Sequence, residues 1–210
     1  MTRPLDAELR LIVILDAGVG AGRDLAEVAA AAVRGGATML QVRAKDAGAR
    51  DFVTLARRVV ASAGAVPVTV NDRLDVALAA GAAGCHLGQA DLPVDVARLM
   101  APPEFLLGAS ASSVEEACRA ALQRPDYIGI GPIAATPSKA DAGAPIGWEG
   151  FRTAHAAAGD IPAVGIGGID VALARGARAA GAAGVAVIGA VLGAPDPEAA
   201  TRALREAVGP

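Results

Sequence analysis

Aromatic side chains are nearly absent from this chain: one Trp, one Tyr and three Phe, or 2% of 210 residues. Base-stacking platforms for single-stranded nucleic acid are thereby excluded, and the core must be built from Ala, Val, Leu and Ile. An excess of one charge is missing as well. The net charge is −3 with 20% charged residues, so nothing draws the chain as a whole toward nucleic acid or an anionic membrane. Cysteine is scarce, and Cys85 and Cys118 have neither metal spacing nor a disulfide framework. Both are expected to be small buried fillers in a protein of the reducing cytoplasm. The longest uncharged run, Ala179 to Ala194, is rich in Ala and Gly and stops at Pro195. It suits a helix end, a turn and a buried strand, not a membrane span. No signal peptide is expected, because Arg3, Asp6, Glu8 and Arg10 break up the amino terminus. There is no Ser-His-Asp or Cys-His arrangement and no strand-GxSxG-helix context. His86, inside an apolar run, reads as a satisfied strand histidine lining an interior, and His155 as a surface residue of an outer helix.

What the chain does have is repetition. Hydrophobic residues make up 53%, enough at this length for one domain with a full core. Apolar runs and punctuation alternate strand and helix eight times, with strands beginning near Leu11, Thr38, Val66, Gly84, Phe105, Asp126, Pro162 and Gly184. Helical stretches lie between them: Asp24 to Arg34, Asp51 to Ser62, Arg73 to Ala80, Val94 to Met100, Ser113 to Leu122, Glu149 to Ala157, Val171 to Ala180 and Pro197 to Val208. Asp72 and Ser113 read as helix caps, Ser113 with Glu116 as a capping box. Gly35, Gly64, Gly81 and Gly181 read as helix ends. Strands that are apolar without alternation are buried on both faces, which means a parallel sheet covered by helices. Eight such units predict a single-domain (β/α)8 TIM barrel over residues 1–210, with its active site at the carboxyl-terminal strand ends. A doubly wound open sheet is the rival; it needs fewer units and one early glycine-rich turn.

The unusual polar residues follow the strands directly. Gln41, Arg43 and Lys45 come after the second, Asn71 and Asp72 after the third, His86, Gln89 and Asp91 after the fourth, and Ser110 after the fifth. The sixth leads into Gly131-Pro132-Ile133-Ala134-Ala135-Thr136-Pro137-Ser138-Lys139, the start of an irregular stretch that continues to Gly147 and reads as a functional loop or lid. In a barrel these positions converge. Arg43, Lys45 and Lys139 would bring three positive charges to one mouth, where an anion of diphosphate size would relieve their repulsion. Asp72 and Asp91 would bring two carboxylates, which with phosphate oxygens and waters suit Mg²⁺. Each has a structural alternative, Asp72 as a helix cap and Asp91 as the start of a turn before Pro93. Gly167-Gly168 and Gly189 follow the seventh and eighth strands, the usual phosphate grip of this fold. A diphosphate with metal on one side and a monophosphate on the other suit the joining of two phosphorylated substrates.

These blocks resemble the thiamine-phosphate synthase family. The resemblance is carried by Gln41-Val42-Arg43-Ala44-Lys45, Asn71-Asp72-Arg73, His86-Leu87-Gly88-Gln89-Ala90-Asp91, Gly108-Ala109-Ser110, Asp126 to Pro132, Thr136-Pro137-Ser138-Lys139 and Ile166-Gly167-Gly168-Ile169. It implies a transferase that joins a hydroxymethylpyrimidine diphosphate to a thiazole phosphate and releases diphosphate by a dissociative path. It further implies Arg43, Lys45, Ser110 and Lys139 as catalytic residues. The segment Gln41, Val42, Arg43, Ala44 and Lys45 would bind the pyrimidine diphosphate together with Asn71, Ser110 and Lys139. Asp72 and Asp91 would hold Mg²⁺, Thr136, Pro137 and Ser138 would contact the thiazole, and Gly168, Ile188 and Gly189 would surround its phosphate. Departures stand out: Ala44 where the family usually has Glu, Ala134-Ala135 where it has an aromatic then Pro, Gly189 where Ser is common, and a first strand without Tyr. The alternatives are a thiazole tautomerase on the same barrel and a non-catalytic binder of phosphorylated ligands. The expected partners are small phosphorylated molecules, with neither nucleic acid nor membrane, and nothing in the sequence argues against a homo-oligomer.

Overall fold

The first strand, Leu-Ile-Val-Ile-Leu-Asp, is buried at every one of its six positions. A strand with apolar side chains on both faces needs cover on both, which a closed sheet ringed by helices supplies. A computed structural model describes residues 5–20, 22–138 and 143–209 and has that form. The strands are β1 (Leu11–Asp16), β2 (Met39–Arg43), β3 (Val68–Asn71), β4 (Gly84–Leu87), β5 (Leu106–Ala111), β6 (Tyr127–Ile130), β7 (Ala163–Ile166) and β8 (Gly184–Val187). Each pairs in parallel with the next, and β1 pairs with β8 through Leu11↔Val185 to close the barrel. All eight begin at, or within two residues of, the positions predicted from the sequence.

The helices are α1 (Leu25–Arg34), α2 (Ala49–Ala63), α3 (Leu74–Ala80), α4 (Val94–Met100), α5 (Val114–Leu122), α6 (Gly147–Ala157), α7 (Val171–Ala174), α8 (Gly189–Leu192) and α9 (Pro197–Val208). Alternate strand residues serve two cores. Leu11, Val13, Leu15, Leu40 and Val42 pack outward against the helices, while Ile12, Ile14, Met39, Tyr127, Val164 and Ala186 fill the barrel. Leu5 and Leu9, ahead of β1, join the inner cluster and close the amino-terminal end.

Several local expectations are corrected. The predicted helix over Val171 to Ala180 breaks into α7 and a 3₁₀ turn at Arg178–Ala180. The Trp148 indole N–H donates to the Leu173 carbonyl at 3.1 Å, and Gly176 N–H donates to the same oxygen at 3.0 Å, so the carbonyl does not propagate the α-helical ladder. Asp72 does not cap α3: Arg73 holds the cap position, without a side-chain cap bond. Ser113 caps α5 as expected, but Glu116 reaches back to the N–H and hydroxyl of Ser112 rather than to Ser113. Gly35 does end α1, with an ordinary φ of −73°; a Cβ there would stand 2.5 Å from the Glu198 carbonyl, so this glycine also permits α1 to approach α9. Cys85 is buried, and burial pushes its thiol up to about 12, whereas Cys118 is exposed and is no core filler. His155 is half-buried, with Nε2 3.1 Å from the Ile161 carbonyl. Among the described residues no helix is long and apolar enough to cross a membrane.

Candidate active site

Asp16 ends an otherwise apolar strand, and across the β1–β2 ladder it lies directly beside Arg43. The Arg43 guanidinium donates to Asp16 Oδ2. The other carboxylate oxygen accepts the N–H groups of Gly18 at 2.8 Å and Val19 at 3.0 Å, so one residue, 3% exposed, ties the first loop to the cation. This changes the electrostatics foreseen from sequence. Arg43 is paired, not a bare cation. Lys45, two residues on, is exposed, and Lys139 lies outside the described residues. The signal for Asp16 was available: a carboxylate ending a run of five apolar residues.

Asn71 ends β3 opposite His86 of β4, and the Asp72 N–H donates to the His86 carbonyl at 2.8 Å. Asp72 takes a left-handed φ of 65°, a conformation Asp accepts more readily than most residues. It faces Asp91, whose Oδ2 accepts the Gly88 N–H at 2.6 Å in a local turn, as the turn reading of Asp91 expects. Burial, then the hydrogen bond and charge of Asp91, raise the Asp72 carboxyl to about 6, with Lys45 and Arg43 opposing the shift. Two carboxylates forced together in a half-buried place are what a divalent cation relieves, so this donor pair fits Mg²⁺ completed by waters and ligand oxygens. No group of three or more His, Cys, Asp or Glu suited to a metal occurs among the described residues. Lys45, Asn71 and Asp72 line one cleft together with Ala44.

Inside the barrel, Gln41 is buried, as are Thr69, His86 and Tyr127. His86 bridges two neighbours, with Nδ1 3.0 Å from the Tyr127 hydroxyl and Nε2 3.0 Å from Ser110 Oγ. It is the satisfied strand histidine lining the interior that the sequence suggests, and one of its partners, Ser110, is a predicted site residue. Gln89 secures the same strand end, its amide donating to the Ser110 carbonyl at 2.6 Å. Val42, in contrast, turns outward into the helix-facing core, so its side chain is not at the mouth. Ala44 packs against that same core.

The segment after β6 is built onto β7. Ile133 N–H donates to the Ile166 carbonyl at 2.8 Å and Ala134 N–H to the Gly167 carbonyl at 2.9 Å, extending the strand pairing beyond the sheet. Gly168 has a φ of 66°, and a Cβ there would stand 2.6 Å from the Ala135 carbonyl. Ser138 N–H donates to Thr136 Oγ1 at 3.2 Å, and a Cβ at Gly189 would be 3.7 Å from Ser138 Oγ. Thr136 and Ser138 thus share a corner with Gly168, Ile188 and Gly189, while Pro137 between them is exposed.

Comparison with known proteins matches residues 11–191 to the family described as thiamine monophosphate synthase. A thiamine-phosphate synthase of Moorella thermoacetica is 50% identical over 201 residues, covering 94% of this chain and 95% of the relative. One from Roseiflexus castenholzii is 49% identical over 194 residues, covering 91% and 85% respectively. The solved structure of a thiamine phosphate pyrophosphorylase from Pyrococcus furiosus superposes with a TM-score of 0.87 at 38% identity, covering 97% of each chain.

Proposed function

Since this chain belongs to the thiamine monophosphate synthase family, we propose that its barrel mouth joins a pyrimidine diphosphate to a thiazole phosphate, giving thiamine phosphate and diphosphate. Gln41 and Asn71 hold the pyrimidine. Arg43, Lys45, Ser110 and Lys139 take the diphosphate, Thr136 to Ser138 meet the thiazole, and Gly168, Ile188 and Gly189 enclose its phosphate. Asp72 and Asp91 hold Mg²⁺, which when bound offsets negative charge on the diphosphate.

The chemistry needs little from the protein besides charge and position. The bond between the pyrimidine methylene and the diphosphate oxygen breaks, and its electron pair leaves with the oxygen. The electron-rich pyrimidine carries the resulting positive charge until the thiazole nitrogen lone pair forms the new C–N bond. No general base is required, because the attacking nitrogen carries no proton. Arg43, held by Asp16, Lys45 and Ser110 stabilise the charge that grows on the leaving group, which is where preorganised donors accelerate most. The thiazole corner fixes the nucleophile near the reacting carbon.

The observation that carries this reading is the facing Asp72–Asp91 pair beside Arg43 and Lys45, a place suited to metal and diphosphate together. The test is a condensation assay with both phosphorylated substrates, with Mg²⁺ or with excess chelator. Thiamine phosphate and diphosphate are expected in equal amounts, and only with metal. Equal turnover in chelator would remove the metal from the site, and no product under either condition would refute the reaction.

A further inference from the structure

A barrel interior filled mainly by aliphatic side chains also holds a phenol, an imidazole and a hydroxyl in a row. Tyr127 of β6, His86 of β4 and Ser110 of β5 are joined by two contacts of 3.0 Å that lead from the buried interior to the mouth. Tyr127 is 1% exposed and His86 7%, so neither phenol nor ring is held by solvent. The space for them is built in. A Cβ at Gly108 would stand 2.4 Å from both His86 Nδ1 and Tyr127 Cζ, and one at Gly129 would stand 3.3 Å from His86 Cε1. Gly108 pairs with both His86 and Tyr127 across the sheet, and Gly129 pairs with Ser110. Two inward positions thus lack side chains where the imidazole lies.

The protons can be counted. Burial holds the Tyr127 phenol well above its ordinary range, so it keeps its single proton. The Gln41 side chain acts on the phenol oxygen and only partly offsets that shift, while the Thr69 hydroxyl spends its own proton on the Leu40 carbonyl at 3.4 Å. With its oxygen facing the Gln41 amide, the phenol has its one proton to give to His86 Nδ1, 3.0 Å away. A neutral imidazole that accepts at Nδ1 carries its hydrogen on Nε2, and that hydrogen faces Ser110 Oγ. Ser110 then receives a hydrogen bond and has its own proton to direct elsewhere.

We propose that His86 is a positioning residue: fixed by Tyr127, it donates to Ser110 Oγ and leaves the serine O–H aimed at a ligand oxygen in the mouth. This rests on the functional reading above, in which Ser110 contacts the departing diphosphate. The opposite arrangement, with His86 Nδ1–H donating to Tyr127, would make Ser110 donate back to the ring and present only lone pairs to an anion.

The two arrangements are separable without any substrate. Long-range ¹H–¹⁵N NMR on labelled full-length protein reads the tautomer, and a His155→Gln variant assigns the spectrum because the chain has only two histidines. The Nε2–H form is expected; the Nδ1–H form overturns the proposal. Kinetics give a second readout. Tyr127→Phe should lower kcat about 10-fold while leaving KM for the pyrimidine diphosphate within about 2-fold, in the range of lost supporting hydrogen bonds. In a Ser110→Ala background the same change should have no further effect, and a full second loss there would sink the relay. His86→Gln, which keeps an N–H near the Nε2 position, should retain more activity than His86→Leu; equal losses would reduce His86 to a space filler. Failure of the unmodified chain in the condensation assay would refute the functional reading, while the tautomer would still decide the proton arrangement.

Discussion

Burial, followed by the hydrogen bond and charge of Asp91, lifts the Asp72 carboxyl from 3.8 to about 6. The sign of the linkage follows. A carboxyl whose folded value is raised favours the folded state below its unfolded value, and that contribution disappears as pH rises through about 6. Metal-free protein at neutral pH therefore carries a repulsive pair that Asp72→Asn removes, and Asn also tolerates the left-handed backbone there. In chelator at pH 7.5 this variant should melt above the parent, and the gap should close as pH approaches 4. A calorimetric series over that interval checks it, and a pH-independent gap would dissociate Asp72 from the effect. The variant should also lose the stabilisation that Mg²⁺ gives the parent. Asp72 and Asp91 stood out in the sequence as carboxylates placed directly after strands, each with a structural alternative. Residues that act through a neighbour on another strand, Asp16 on Arg43 and His86 on Ser110, were not legible there, because the neighbour is 27 or 24 positions away.

The segment from Gly131 to Ser138 lies on the glycine turn after β7 through the Ile133 and Ala134 amides, and the turn in return presents no side chain toward Ala134 and Ala135. Gly168 is the key to that fit. Its left-handed φ of 66° is uncomfortable for an L side chain, and a Cβ would press on the Ala135 carbonyl from 2.6 Å. Gly168→Ala should cost about 1–3 kcal/mol by the usual penalty for strain at such a backbone position. It should raise KM for the thiazole phosphate more than for the pyrimidine diphosphate, since the thiazole corner is where the loop would shift. Equal changes in both would place the loop's role elsewhere. Element order and type were readable from apolar runs and glycine punctuation. The breakdown of the seventh helix was not, because its cause is Trp148 on the preceding helix reaching the Leu173 carbonyl.

The whole molecule is weakly acidic at −3, yet the substrates proposed for it are anions. Under that reading the attraction is local, and with Arg43 paired to Asp16 it comes chiefly from the exposed Lys45, two residues beyond the end of β2. Such a field is screened within about 10 Å at 0.1 M salt. Raising KCl from about 50 to 500 mM should increase KM for the pyrimidine diphosphate several-fold with little change in kcat, as expected when steering rather than chemistry is screened. A flat KM would show that contact geometry, not the local field, sets affinity.

The sequence by itself determined the barrel and the end of it where the unusual polar residues gather. Doubly buried apolar strands leave few alternatives to a covered parallel sheet, and polar residues placed directly after strands must meet at one end of it. Only the tertiary structure decided how those residues are held. Whether Arg43 is bare or paired, whether Asp72 caps a helix or faces Asp91, and whether His86 fills space or touches Ser110 all depend on strand register. Register is a relation between distant segments, and no local pattern of residue types encodes it.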